Sequence, residues 1–157
     1  MMKKFPPIEK ILEAYTAIAD GHVKLENDQA LVTSSNEAKT YTVTFHDNTY
    51  TSNDNTYTSN DNASYWQGYL GYPGIAVLML QGKLPYDKEL AQQFAGVDWN
   101  KINQEYKRNY AQAADAVMTA KGIDKKKAET ELHHVYNALK QLPIIVKRGS
   151  LRPPKAN

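Results

Sequence analysis

Residues 39–62 read KTYTVTFHDNTYTSNDNTYTSNDN, and this stretch decides the fold class. From Thr40 to His46 the side chains alternate. Tyr41, Val43 and Phe45 fall on one face, and Thr40, Thr42 and Thr44 on the other, as in a half-buried antiparallel strand. A perfect tandem copy follows: residues 47–53 are DNTYTSN, residues 54–60 repeat them, and Asp61-Asn62 comes next. The unit is too short and too few for a solenoid, so it reads as a local duplication. Its period is odd, so equivalent residues of the two copies face opposite sides of an extended strand. One copy is expected to keep a sheet register and the other to form a hairpin tip or loop. A contact loop bearing Tyr50 and Tyr57 is the alternative.

Upstream, residues 22–26 and 30–34 carry strand signals separated by the turn residues Asn27-Asp28, giving a β-meander of about three strands over residues 22–46. Before it, Ile8, Ile11, Leu12, Tyr15, Ile18 and Ala19 recur at helical spacing, with Pro7 in the first turn and Asp20-Gly21 as a stop. The polar face of this helix is mixed in sign, which predicts a packed outer helix. Downstream, residues 62–74 are aromatic and glycine-rich and read as loop and turn, and the apolar run 75–80 reads as a buried helix closed by Gly82. Asp87 caps a short helix stopped by Gly96. Asp98 caps a long one carrying Trp99, Ile102, Tyr106, Tyr110, Ala113, Val117 and Ala120, ended by Gly122. Asp124 starts the next, with Ala128, Leu132, Val135, Tyr136 and Leu139 inward, and the two form an αα-hairpin over residues 98–142. Residues 144–146 suit a last short strand.

The expected architecture is one α+β domain over residues 1–146: an N-terminal helix, a small antiparallel β-meander and a helical C-terminal part. Residues 147–157 read as a basic, flexible tail. A length of 157 residues fits one core rather than two. The absence of cysteine rules out disulfides, thiolate metal sites and a cysteine nucleophile. Met1-Met2-Lys3-Lys4 opens like a signal peptide, but Glu9, Lys10 and Glu13 interrupt any apolar run, and no segment is long enough to span a bilayer. A cytoplasmic location without membrane contact is expected.

Residues 21–84 resemble the SWIM-type zinc-finger domain. There "ADGHVKLENDQALVTSS" leads to the strand "KTYTVTF", then "YTSND", an aromatic loop and "GYPGIAVLMLQGKL". In that family a strand leads to Cys-x-Cys, and a variable loop leads to Cys-x-His at the start of an apolar helix. Every ligand position is replaced here. The first pair falls on Ser52-Asn53-Asp54 or Ser59-Asn60-Asp61, and the second on Tyr72-Pro73-Gly74 or is shortened to Gly74. Zinc needs thiolate or imidazole at four corners. The resemblance therefore implies a SWIM-like scaffold without zinc or other cofactor, with nucleic-acid binding or protein association as its function. Without the metal's folding energy, Tyr65, Trp66, Tyr69, Leu70 and Tyr72 are expected to hold the loop by packing, or to stand out as an aromatic platform.

Catalytic patterns are sparse. His133 and His134 are about a quarter-turn apart on their helix and make no metal pair; only Glu129 pairs with His133 at four residues. His46-Asp47 could form half of a hydrolytic dyad, but no nucleophile elbow, dinucleotide fingerprint or P-loop accompanies it. The expectation is a non-enzymatic, zinc-independent nucleic-acid-binding module. Lys125, Lys126 and Lys127 stand at a helix N-terminus, where the dipole disfavours cations, and Lys147, Arg148 and Arg152 lie in the tail. These six are the candidate phosphate contacts, and Trp66 and Tyr69 the candidate stacking residues. Double-stranded DNA is one expected partner. The alternative is a protein-interaction or self-association module that uses the aromatic loop and an unpaired strand edge, and that edge could form a homodimer. The excess of tyrosine (11, against 3 Phe and 2 Trp) suits either contact surface.

Overall fold

A computed structural model describes residues 2–46 and 56–155. The chain is α+β. Helix α1 (Lys10–Ala19) is followed by strands β1 (Val23–Leu25), β2 (Gln29–Thr33), β3 (Thr40–His46) and β4 (Thr56–Ser59). Helices α2 (Asn62–Gln67), α3 (Tyr72–Leu80), α4 (Lys88–Gln93), α5 (Trp99–Glu105), α6 (Tyr110–Lys121) and α7 (Lys125–Gln141) come next, and β5 (Ile145–Val146) closes the series. The strands form one sheet in the order β1-β2-β3-β4-β5. The first four pair antiparallel, and β5 joins β4 in parallel.

Strand β4 comes from the second copy of the repeat. Tyr57 pairs with Phe45 and Ser59 with Val43. This register buries Tyr57 and Ser59 while Thr56 and Thr58 stay half-exposed, so Tyr57 is a core residue and belongs to no contact loop. The first copy, with Tyr50, lies outside the described residues.

The sheet packs on α3, whose residues from Pro73 to Met79 are all buried. That helix touches β1, β3 and β4 as well as α1. The wholly apolar run is the signature of an element with no solvent face. Helix α1 in turn contacts α3, α4 and α7. It is therefore no outer helix: every residue from Ile11 to Ala17 is buried, Glu13 and Thr16 included. The mixed-sign face that suggested solvent is turned inward, where its polar groups find partners. Thr16 Oγ1 donates to the Phe94 carbonyl at 2.6 Å and accepts from Trp99 Nε1 at 2.7 Å.

Two further expectations change. Residues 62–74 are mostly helical rather than loop. Asp61 caps α2 by accepting from the Ser64 backbone N–H at 3.1 Å, and α3 begins at Tyr72 with Pro73 in its first turn. The aromatic and glycine content hid a capping signal supplied by Asp61, just after the repeat. The long helix after Asp98 is also broken in two. Lys107 (φ 51) and Arg108 (φ 64) adopt the left-handed conformation and end α5, and Asn109 caps α6 by accepting from the Gln112 N–H. The motif that closes α5, with the Arg108 N–H bonded to the Asn103 carbonyl at 2.7 Å, normally carries glycine, so no sequence signal marked the break. Helices α6 and α7 follow one another across a short turn at Gly122 (φ 65).

The basic segment after β5 runs along β4. The Lys147 N–H donates to the Tyr57 carbonyl at 3.0 Å, and Asn60 Nδ2 donates to the Arg152 carbonyl at 3.2 Å. Read from sequence as a flexible tail, it is tied down as far as Arg152.

Two substitutions test these packing arguments. Lys107→Gly removes left-handed strain and should stabilise the chain by about 0.5–1 kcal/mol in urea unfolding. Gly71→Ala should destabilise it by about 1–3 kcal/mol, because a Cβ there would collide with Asp61 Oδ2 and displace the α2 cap.

Candidate functional site

A cleft of about 450 Å³ lies between α1, the β2–β3 connection, α2 and α5. Its position follows from the broken helix, since the turn after α5 brings Arg108 and Tyr110 back to the cleft instead of carrying the chain away.

The floor is ionic. Glu13 is only 7% exposed, and its Oε2 lies 2.9 Å from Lys10 Nζ. Burial pushes the Glu13 carboxyl above its usual range, against the opposing pull of Lys10 and a hydrogen bond from Asn103. Burial acts on Lys10 in the other direction, but the Glu13 carboxylate outweighs it and leaves the ammonium above its ordinary value. The Lys10 ammonium also sits 4.5 Å over the Tyr110 ring, a cation–π contact. Asp61, buried beside this pair, is occupied structurally: it accepts from both the Ser59 and Ser64 hydroxyls and from the Ser64 N–H.

The walls are aromatic and amide-bearing. Tyr41 and Tyr72 meet edge to face at 6.3 Å, and Tyr69 lines the same cavity. Burial raises the pKa values of Tyr41, Tyr69 and Tyr72, so at neutral pH these phenols are hydroxyls able to donate and accept. Asn36, Asn100, Asn103, Gln67 and Gln104 complete the lining, with Lys39 and Arg108 among the cations.

At the mouth stands Trp66, 61% exposed. Its ring meets Tyr65 edge to face at 4.7 Å, and the Arg148 guanidinium lies 4.8 Å from the Tyr65 centroid and 5.5 Å from that of Trp66. Arg148 Nε donates to the Tyr65 carbonyl at 3.0 Å, which fixes the guanidinium over the two rings. Lys4 approaches Tyr69 at 5.7 Å.

The structure thus brings together three of the residues singled out from sequence: Trp66 and Arg148 in contact, and Tyr69 in the same cleft as Trp66. Lys147 and Arg152 belong to the segment that carries Arg148 along β4. Lys125, Lys126 and Lys127 stand elsewhere, at the start of α7. That helix has 17 residues and is about 26 Å long, and the chain leaves its far end for β5 and the basic segment. Lys125 is paired with Asp115 at 2.7 Å. Of the expected aromatic mini-core, Leu70 is fully buried, Tyr65, Tyr69 and Tyr72 are half-buried, and Trp66 is the exposed member. Lys10 and Glu13 went unrecognised because their spacing is that of any helix surface pair, and only the packing around α1 buries them. His133 and His134 are exposed on α7. His46 is exposed at the end of β3, and its neighbour Asp47 lies outside the described residues. Among the described residues no three His, Asp or Glu side chains converge as a metal site, and no helix is long and apolar enough to cross a membrane.

The buried carboxyl gives a signed pH dependence. Above pH 4.5 Glu13 in the unfolded chain releases its proton while the folded chain still holds it. Stability from this group is fully present below pH 4.5 and is lost as pH rises through the higher folded value. The stability difference between the native chain and Glu13→Gln, from urea unfolding across pH 4–8, should therefore fall with rising pH and then level off. A difference independent of pH would contradict the burial argument.

No curated protein and no solved structure matches the chain. A family model described as "Uncharacterised conserved protein UCP014422" matches residues 3–145, which hold strands β1 to β4, helices α1 to α7 and the whole cleft. The chain belongs to that family.

Proposed function

We propose that the protein is a non-enzymatic nucleic-acid-binding module whose contact surface is the Trp66–Arg148 platform and the basic segment beside it. The observation that carries the reading is the exposed indole held against a fixed guanidinium. Such a pair offers a flat face for a base and a positive charge for the adjoining phosphate. Lys147 and Arg152 extend the charge along the strand's path. The SWIM-like resemblance of residues 21–84 points the same way, toward a scaffold that binds without zinc.

The geometry favours a single strand over a duplex. An indole standing out of the surface gains most from an unpaired base, whereas a duplex hides its base faces in the stack. The triple lysine of α7 then serves solubility and its bond to Asp115 rather than phosphate contact. A cytoplasmic setting is compatible with a ligand of this kind.

Fluorescence anisotropy with labelled single-stranded and duplex oligonucleotides at two salt concentrations tests the reading. Single strands should bind with an affinity that falls with salt, at a slope of about −0.7 per neutralised phosphate. Trp66→Ala should weaken binding by about 5- to 150-fold, the range of one stacked base, and Arg148→Glu should also weaken it. Reversing Lys125, Lys126 and Lys127 should change little. Tighter binding to duplex would move the ligand to double-stranded DNA, and no binding at low salt would remove the reading.

Self-association through a strand edge is the second reading, and β1 is its surface, with Leu25 44% exposed. The strand is three residues long and carries Lys24, features that blunt an edge. A strictly monomeric protein in sedimentation at high concentration would remove this reading.

A further inference from the structure

The cleft behind the platform is a site of its own, and its lining is more specific than a stacking surface requires. We propose that it binds one nucleotide, with a guanine base inserted toward Lys10 and Glu13 and the phosphate at Lys39 and Arg108. The proposal rests on the nucleic-acid reading for the choice of a nucleotide, and it goes beyond that reading in naming a second site and the base it selects.

Three observations support it. The first is size: about 450 Å³ lies within the range of pockets that enclose a whole small molecule and exceeds what a side chain or a few waters need. The second is the floor. Lys10 and Glu13 together are neutral, so the floor does not select for net charge, yet they set a carboxylate and an ammonium side by side at 2.9 Å. A ligand that matches them carries donors next to an acceptor on one edge. Among the bases, guanine alone presents two adjacent donors, N1–H and the N2 amino group, beside the O6 acceptor. The carboxylate has lone pairs beyond those Lys10 and Asn103 use, and the ammonium has two further protons. Tyr69 and Tyr72 supply ring surface for a planar heterocycle.

The third observation concerns the cations. Lys39 and Arg108 line the cleft, and among the described residues neither forms an ion pair. Arg108 is placed there by two consecutive left-handed residues without glycine, a conformation that costs energy at both positions. Strain retained at the rim of a cavity, delivering an unpaired guanidinium, fits an anion bound at that point.

The same chemistry is offered by a free guanine nucleotide and by a guanosine within a strand, and calorimetry separates them. The native chain is titrated with GMP, AMP, CMP, UMP and guanosine, then with single strands that contain or lack guanine. GMP should saturate at one site per chain and exceed the other mononucleotides by about tenfold or more. Arg108→Ala, at an exposed position where folding is not at risk, should weaken GMP while leaving guanosine unchanged. Glu13→Gln should cost about ten- to a hundredfold in GMP affinity, as expected for a charge-assisted bond. Guanine-containing strands that compete with GMP place the nucleotide within a strand, and GMP binding unaffected by strands makes it a free ligand. Either result supports the site. Strands that bind without preference for guanine, with no GMP binding, overturn the cleft proposal and leave the platform reading standing. GMP binding without strand binding does the reverse.

Discussion

A helix with no solvent face must satisfy every polar side chain it carries, and α1 is such a helix. Seven consecutive residues are buried between α3, α4 and α7, and two of them, Glu13 and Thr16, are polar. Thr16 solves the problem by binding a carbonyl of the segment after α4 and the indole of α5, which pins three elements to one hydroxyl. Glu13 solves it with Lys10 and Asn103, and since its solution lies near the surface it leaves a cleft above it rather than a sealed core. The placement of α5, the turn that returns Arg108, and the cleft itself all follow from burying this one helix.

Much of this was legible from the chain and some was not, for identifiable reasons. Strands β1 to β3, the apolar α3, and the caps at Asp87, Asp98 and Asp124 are local signals, and local signals survive folding. Helix α2 was hidden because its cap, Asp61, lies in the wake of the repeat and its body is aromatic. The break after α5 was hidden because the left-handed residues are Lys107 and Arg108, where sequence reading looks for glycine or asparagine. Trp66, Tyr69 and Arg148 were legible as contact residues by type, but that Trp66 and Arg148 touch is a fact of tertiary structure. The Lys10–Glu13 floor was illegible altogether, because amphipathic spacing says which residues share a face and not whether that face meets water.

The second copy of the repeat shows how a sequence acquires its meaning from its neighbours. In the second copy Tyr57 bonds Gln81 and receives Lys83, Thr58 meets Thr44, Ser59 supports the Asp61 carboxylate, and Asn60 accepts from the Thr42 N–H. Each contact reaches a partner outside the copy, so the strand's identity lies in its surroundings as much as in DNTYTSN.

The parallel pairing of β4 with β5 has a consequence for how the chain matures. Thr56 meets Ile145, so the sheet's last partner is separated from it by helices α2 to α7. During synthesis at about 5–20 residues per second, β4 waits several seconds or longer with its outer edge bare. Loop-closure entropy makes a contact of that sequence separation slow to form even once the partner is made. The nascent chain therefore passes through a stage in which a threonine- and tyrosine-bearing strand is open to any passing extended segment.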